Sequence, residues 1–415
     1  MRHGAWSGTG CDGDDGPDQT SLLGKMTERV LPGLAKRAIP LSRAEVSRES
    51  GLSAPSVSRA VTALLRAGLV EETSQPQPTG GRPANLLRLA CKSAQVLGIS
   101  VDVDRCCLVS AGLDGEPHDD PIEFPTPTTY PDLIASLARQ SRQLMHRGNL
   151  STLGIGLSLP GLVDYRIGQS LLSPNLAITN GKTPALDLSR KLGMDVLLLQ
   201  ESHALCLAEQ YHGEARDLLD FAMLDIHTGL GLGVVSGGRL LTGHSGVAGE
   251  LGHVTVEPNG KRCGCGNIGC LETVANDTSL AWRVSRRLGR PVTIDEVIHL
   301  AQASHHDFSG ELADVCRYLA IAVAAVLNLF NPRRLFVHGR LFEVDPSLFS
   351  RLIDLVSRRA LRPCFEECRI VRATAKKHQG ALAGIIQHLT SVLPPTIELN
   401  PLRLPTEVRD ALPAT

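Results

Sequence analysis

No apolar run in this 415-residue chain approaches the roughly 18 residues that a membrane span requires, so no membrane partner is expected. The N-terminal stretch MRHGAWSGTGCDGDDGPDQT lacks the apolar segment of a secretory signal. The eleven cysteines lack a framework spacing. Eight of them (Cys11, Cys91, Cys106, Cys107, Cys206, Cys316, Cys364 and Cys368) are scattered irregularly, which argues against a disulfide scaffold and fits a reduced, cytoplasmic protein. Cys364 and Cys368 bracket Phe-Glu-Glu and read either as half of a second metal site or as buried thiols. Net charge is nearly absent as well, at −1 from 42 basic and 43 acidic residues. What is present is an ordinary apolar content, 42%, enough to fill the cores of two or three domains at this length.

The charge balance conceals an asymmetry. Between Leu34 and Lys92 nine basic residues stand against four acidic ones, which points that segment towards a polyanion. Within it, Ser42 followed by Glu45 forms a capping box that starts a helix, and Gly51 suits a left-handed C-terminal turn. Ser53 caps a second helix, about Ala54 to Ala67, with Pro55 in its first turn. This helix is expected to bury Val57, Val61, Leu64 and Leu65. Its outer face carries Ser56, Ser58, Arg59 and Thr62, side chains able to bond phosphates or base edges. Two helices about a short glycine turn make a helix-turn-helix. GLVEET and LLRLA follow as strands around the loop PTGGRP, giving a winged helix with Arg82 at the wing tip, within reach of a minor groove or phosphate. A helical hairpin for protein contacts is the competing reading.

The most specific segment runs from Gly249 to Glu272, GELGHVTVEPNGKRCGCGNIGCLE. His253 with Cys263, Cys265 and Cys270, the cysteines spaced C-x-C-x4-C, is a complete tetrahedral ligand set for Zn2+. A site closed by protein ligands has no open position, so this zinc is structural rather than catalytic. Glycines at 260, 264, 266 and 269 permit the positive-φ backbone that gathers thiolates at one point. The alternative is a glycine-rich turn with buried free cysteines. Standing alone, His253 would read as a core histidine; beside three spaced cysteines it reads as a ligand whose second nitrogen can still bond a hydroxyl. From Val96 onward, strand-like runs (VLGIS, TLGIGLSL, DVLLL, AMLDI, LGVV, RLFVHG) alternate with long helical patterns, which implies α/β layers.

The zinc-loop run resembles the signature of the ROK family of sugar kinases and sugar-responsive repressors. The resemblance extends from about Leu41 to Leu389 and includes the GLS turn and GGRP wing of the family's repressors. It implies an α/β fold, a two-lobed ribonuclease-H-like (actin/hexokinase-type) domain over residues 93–390, with its zinc loop at 253–270. A winged helix-turn-helix domain at 27–92 precedes it, between a disordered extension (1–26, with Met26 a second candidate start) and a Pro-rich tail (391–415). The same resemblance places Asn175, Gln200, Glu201, Glu250, His253 and Glu272 on a bound sugar.

Gln200 and Glu201 stand where family kinases carry an Asn-Asp pair whose Asp is the general base. Glu is one methylene longer, and a misplacement of about 1 Å can cost on the order of 100-fold in rate. The first phosphate hairpin, D-x-G-G-T in the kinases, reads SVDVD at Ser100 to Asp104, placing carboxylates and β-carbons where a triphosphate would lie. The second, HTGLGLG at His227 to Gly233, is better kept, and His338-Gly339-Arg340 replaces a glycine pair. The expectation is a non-enzymatic, sugar-responsive repressor that binds operator DNA as a homodimer or tetramer. Its rivals are an ATP-dependent sugar kinase with an appended DNA-binding domain and a docking surface for a sugar-transport or signalling protein.

Overall fold

The computed structural model describes Val30, Leu34 and residues 39–73, 85–165, 167–303 and 306–390, in two compact units that divide between Leu89 and Ala90. The extension 1–26, the wing loop with Arg82, and the tail 391–415 lie outside the described residues.

The smaller unit contains β1 (Leu41–Ser42), α1 (Arg43–Ser50), α2 (Ala54–Arg66), β2 (Val70–Thr73) and β3 (Leu86–Leu89). Ser42 and Glu45 form the expected reciprocal capping box, and Gly51 ends α1 with φ 68°. The Ser53 side chain caps α2. Val57, Ala60, Val61 and Leu64 make the buried stripe of α2, whereas Leu65, expected inside, is only half-buried. Ala60 completes the i, i+3, i+4, i+7 face, and Leu65 falls at its edge. β3 pairs antiparallel with β1 (Leu41↔Leu87) and with β2 (Val70↔Leu89), giving the three-stranded sheet of a winged helix.

The larger unit begins with β4 (Ala94–Val101), β5 (Arg105–Ala111), β6 (Ile122–Pro125), α3 (Tyr130–Met145) and β7 (Ser151–Leu159). It continues through β8 (Leu162–Asp164), β9 (Gln169–Leu172), α4 (Pro184–Leu192), β10 (Val196–Gln200) and α5 (Glu201–Tyr211). Next come β11 (Phe221–Ile226), β12 (Leu230–Ser236), β13 (Arg239–Leu240), α6 (Asp277–Leu288), α7 (Ile294–Ala303) and α8 (Ser309–Phe330). The last elements are β14 (Arg334–Gly339), α9 (Leu341–Val344), α10 (Leu348–Ser357), α11 (Arg362–Glu367), β15 (Arg369–Arg372) and α12 (Lys377–Thr390).

These strands form two five-stranded sheets with one plan. In each, three antiparallel hairpin strands are followed by two parallel ones: β6-β5-β4-β7-β10 in the first lobe and β13-β12-β11-β14-β15 in the second. The repeated plan is the two-lobed ribonuclease-H-like arrangement of actin and hexokinase. Each lobe has its own apolar core, Leu97, Ile99, Leu133, Leu137 and Leu157 in the first, Leu224, Val315, Leu319, Val323 and Val337 in the second.

The helices nearest the lobe junction pack against opposite sheets. α12 lies on the first sheet so closely that a β-carbon at Gly156 would come 2.0 Å from the Ala381 carbonyl oxygen. α5 lies on the second sheet, with Ser202 and Cys206 against Gly231 and Gly233. α12 meets α5 where Gly380 abuts Ala204. By length and composition α8 is apolar enough to cross a membrane, which the run-length reading missed because Arg317 interrupts its sequence. Its Leu312, Val315, Leu319, Val323 and Leu327 are instead buried in the second lobe, as in the core helix of a large domain.

Candidate functional site

The lobes face each other across a cleft. The first lobe contributes Asp102 and the loop Ser173–Asn175. The junction contributes Gln200 to Ser202, and the second lobe Asp225, the turn 227–231, Glu250, His253 and Glu272. Asn175, Gln200, Glu201, Glu250, His253 and Glu272, whose first and last members are 97 positions apart in sequence, therefore line one cleft. Gln200 ends β10 and Glu201 opens α5, so the strand-to-helix turn aims both into it. Gln200 Nε2 donates to Glu250 Oε1 at 2.6 Å, and Gln200 N donates to the Tyr165 hydroxyl at 3.1 Å. That hydroxyl lies 2.6 Å from His203 Nδ1. Burial lowers His203 to about 4, which favours the neutral ring. Burial also raises the Glu250 carboxyl, against the opposing pull of His253 and Gln200. Asn175 stands across the cleft from Gly229, where a β-carbon would lie 3.2 Å from its Nδ2.

Below this surface the ligand atoms of His253, Cys263, Cys265 and Cys270 lie within 4.8 Å of one another. Cys265 Sγ is 3.8 Å from Cys270 Sγ, and Cys263 Sγ is 3.6 Å from His253 Nδ1. A tetrahedral zinc about 2.3 Å from sulfur and about 2.0 Å from nitrogen sets edges of roughly 3.8 and 3.5 Å, so the donor set fits that ion. His253 turns Nδ1 to the thiols while Nε2 sits 3.6 Å from Glu250 Oε2. Glu272 Oε1 lies 2.8 Å from Cys263 Sγ and 3.5 Å from His253 Nδ1, so the other cleft carboxylate stands against the donors of the loop. Of the loop's glycines, Gly266 (φ 97°) and Gly269 (φ 74°) use the positive-φ freedom; at Gly269 a β-carbon would fall 1.7 Å from the Glu257 carbonyl oxygen. Among the described residues Cys364 and Cys368 join no metal-ligand group, and burial pushes Cys368 up to about 11.

One cluster escaped the sequence reading. Lys377, the first residue of α12, places Nζ 2.5 Å from Glu201 Oε1, 3.1 Å from Asp102 Oδ2 and 3.9 Å from Asp225 Oδ2. His338 Nδ1 lies 2.7 Å from Asp225 Oδ1, and His227 Nδ1 3.6 Å from Asp102 Oδ2. Burial alone would lower Lys377, but Glu201, Asp225 and Asp102 together raise it, so it is a fixed positive charge. Burial opposes ionisation of Asp225 too, yet Lys377 and His338 hold it well below the carboxylate range. Glu201 is the member left to titrate: burial, with Asp225 and Asp102, lifts it to about 7 against the pull of Lys377. Asp102 and Lys377 are 275 positions apart, a separation to which no local pattern is sensitive. Asp102 Oδ1 itself accepts from the backbone N–H of Val103 at 2.7 Å.

In the smaller unit Ser58, Arg59 and Thr62 are exposed on α2 and Ser56 is half-buried. The Ser56 hydroxyl accepts from Ser53 at 2.9 Å, and Ser58 Oγ accepts from Arg43 Nη1 at 3.3 Å. The Arg43 guanidinium is in turn held by Glu72 at 2.9 Å.

A helix-turn-helix unit joined to a two-lobed, kinase-type domain with a carboxylate-lined cleft defines a class of sugar-kinase-like proteins carrying a DNA-binding module. The model of the ROK family matches residues 99–389, and that of the IclR helix-turn-helix domain matches residues 29–74. The chain belongs to the ROK family. It is similar to the DNA-binding transcriptional dual regulator NagC of Escherichia coli, 28% identical over 377 residues that cover 88% of this chain and 92% of that one. The xylose repressor of Bacillus spizizenii is 27% identical over 385 residues, covering 91% and 98%. Among solved structures, a ROK family transcriptional regulator homologous to E. coli MLC superposes with a TM-score of 0.76 at 27% identity, over 90% of this chain and 98% of that one. A ROK hexokinase from Thermus thermophilus gives 0.61 at 27% identity, over 76% and 99%.

Proposed function

We propose that this protein is a sugar-responsive transcriptional repressor that binds operator DNA through α2 and its wing and binds a sugar in the interlobe cleft without phosphorylating it. The observation that carries the reading is the union, in one chain, of the helix-turn-helix with a cleft whose base-position carboxylate, Glu201, is engaged by Lys377. Gln200, Glu250, Glu272 and Asn175 offer the acceptors and donors that hydroxyls need, and His253 Nε2 completes the ring from the zinc side. Zinc, held by His253, Cys263, Cys265 and Cys270, would supply a fixed crosslink that orients His253; it takes no part in chemistry. The DNA-binding form is a homodimer on two half-sites, Arg59 and Thr62 facing bases or phosphates and Arg82 the adjacent groove. Sugar binding favours one lobe arrangement over another and lowers operator affinity; a preference of about 1–3 kcal/mol gives ordinary coupling. The relative named for xylose makes pentoses the first ligands to try, with hexoses and amino sugars beside them.

The test is a thermal-shift screen of the zinc-loaded protein against such sugars and ATP·Mg²⁺, followed by operator binding with the best ligand. Stabilisation by one sugar and none by ATP, with release of DNA by that sugar, is the expected outcome. A second reading, a sugar kinase with an appended DNA-binding domain, is favoured by the recess that adjoins the cleft beside Asp102, lined by Thr228, Asp277 and Arg340. Sugar-dependent ADP release abolished by Glu201→Gln would establish it and overturn the first.

A further inference from the structure

Three carboxylates from separate elements converge on one ammonium. Asp102 sits beyond the end of β4 in the first lobe, Glu201 at the start of α5, and Asp225 near the end of β11 in the second lobe. An oxygen trio of this kind is a donor set for a divalent cation. Here the space between the oxygens belongs to Lys377 Nζ, within 4 Å of all three residues. Nor is the ammonium free to withdraw. Glu209, buried on α5, accepts from the backbone N–H groups of Thr374 at 2.7 Å and Ala375 at 2.9 Å, pinning the chain just before α12. Gly380 against Ala204 and Ala381 against Gly156 then fix the first turns of α12 to both α5 and the first sheet. The residues fit a divalent cation in type but not in charge or space.

We propose that Lys377 is the resident cation of the cleft. Its ammonium takes the place of a divalent metal among Asp102, Glu201 and Asp225, spans the lobes, and makes ligand binding independent of metal and nucleotide. A sugar hydroxyl arriving at Glu201 meets a carboxylate already neutralised from behind. The ligand clause rests on the proposed reading of the cleft; the cation clause does not.

The experiment uses full-length, zinc-loaded protein and Mn²⁺ as probe, with retained Mn²⁺ read by electron paramagnetic resonance. Lys377→Met is expected to gain one Mn²⁺ site at least about tenfold tighter than any in the wild type, because the trio loses the ammonium that lies within 4 Å of all three carboxylates. Adding Asp225→Asn to that variant should remove the gained site. A folded Lys377→Met protein with no gain in Mn²⁺ affinity would overturn the proposal, as would a wild-type Mn²⁺ site that Asp225→Asn abolishes. Should three uncompensated carboxylates prevent folding, Lys377→Met with Glu201→Gln keeps Asp102 and Asp225 at lower charge; a gain there supports the proposal and no gain refutes it. Any sugar-induced thermal shift of the wild type should be unchanged by Mg²⁺, and a shift that requires Mg²⁺ would count against the resident cation. Absence of sugar binding altogether counts against the proposed function and leaves the Mn²⁺ comparison decisive for Lys377.

Discussion

Glu201→Gln separates two opposing influences on one buried carboxyl. Burial, with Asp225 and Asp102, lifts Glu201 to about 7, while Lys377 at 2.5 Å pulls the other way. In the unfolded chain the group titrates near 4.5. A carboxyl raised by folding binds its proton more tightly in the folded state. Its stabilising contribution is therefore complete below about pH 4.5 and is lost as pH rises through about 7. The gap between the two pKa values corresponds to roughly 3 kcal/mol as an upper bound. Glutamine keeps the shape and cannot titrate. The stability of Glu201→Gln relative to wild type should thus climb by up to roughly 3 kcal/mol between about pH 4.5 and pH 8. Urea unfolding followed through the fluorescence of Trp282, which lies in the larger unit, measures that difference at each pH. Asp277, also lifted to about 7 by burial, is present in both proteins and cancels. A difference that stays level would refute the burial argument. One that falls with pH would mean that the Lys377 pair outweighs desolvation.

Cys265→Ser or Cys270→Ser should reduce bound zinc from one per chain to well below that, measured by metal analysis, and should lower the melting temperature by several degrees, because metal binding and loop folding are coupled. Full zinc in both variants would remove the ligand assignment. Gly156→Ala should destabilise the larger unit by about 1–3 kcal/mol in urea unfolding, since its β-carbon would meet the Ala381 carbonyl oxygen at 2.0 Å; an unchanged midpoint would show that α12 can shift. Arg59→Ala, altering an exposed α2 side chain, should weaken operator binding and flatten its salt dependence by about one ion, with no change in sugar-induced thermal shift.

The helix-turn-helix was readable nearly residue by residue because its determinants are local: Ser42 with Glu45, Gly51, Ser53 and a four-residue stripe all lie within a few turns of one another. Its one misplacement, Leu65 for Ala60, concerns which neighbour completes a stripe, and that depends on what the helix packs against. The zinc loop was equally legible, since three of its ligands fall within eight residues and the fourth ten residues earlier. Even so, only Gly266 and Gly269 of its glycines adopt positive φ, because the others serve close packing instead.

By itself the sequence determined the short-range chemistry of this protein: caps, turns, metal spacing and the alternation of strand and helix, each set by interactions between near neighbours along the chain. Tertiary structure alone decided that the two lobes repeat one sheet plan, that Tyr165 and His203 brace Gln200, and that Lys377 lies among Asp102, Glu201 and Asp225. The reason is physical. Attraction between charges depends on distance in space and on exclusion of water, and residues 275 positions apart acquire both only when α12 packs beneath the cleft.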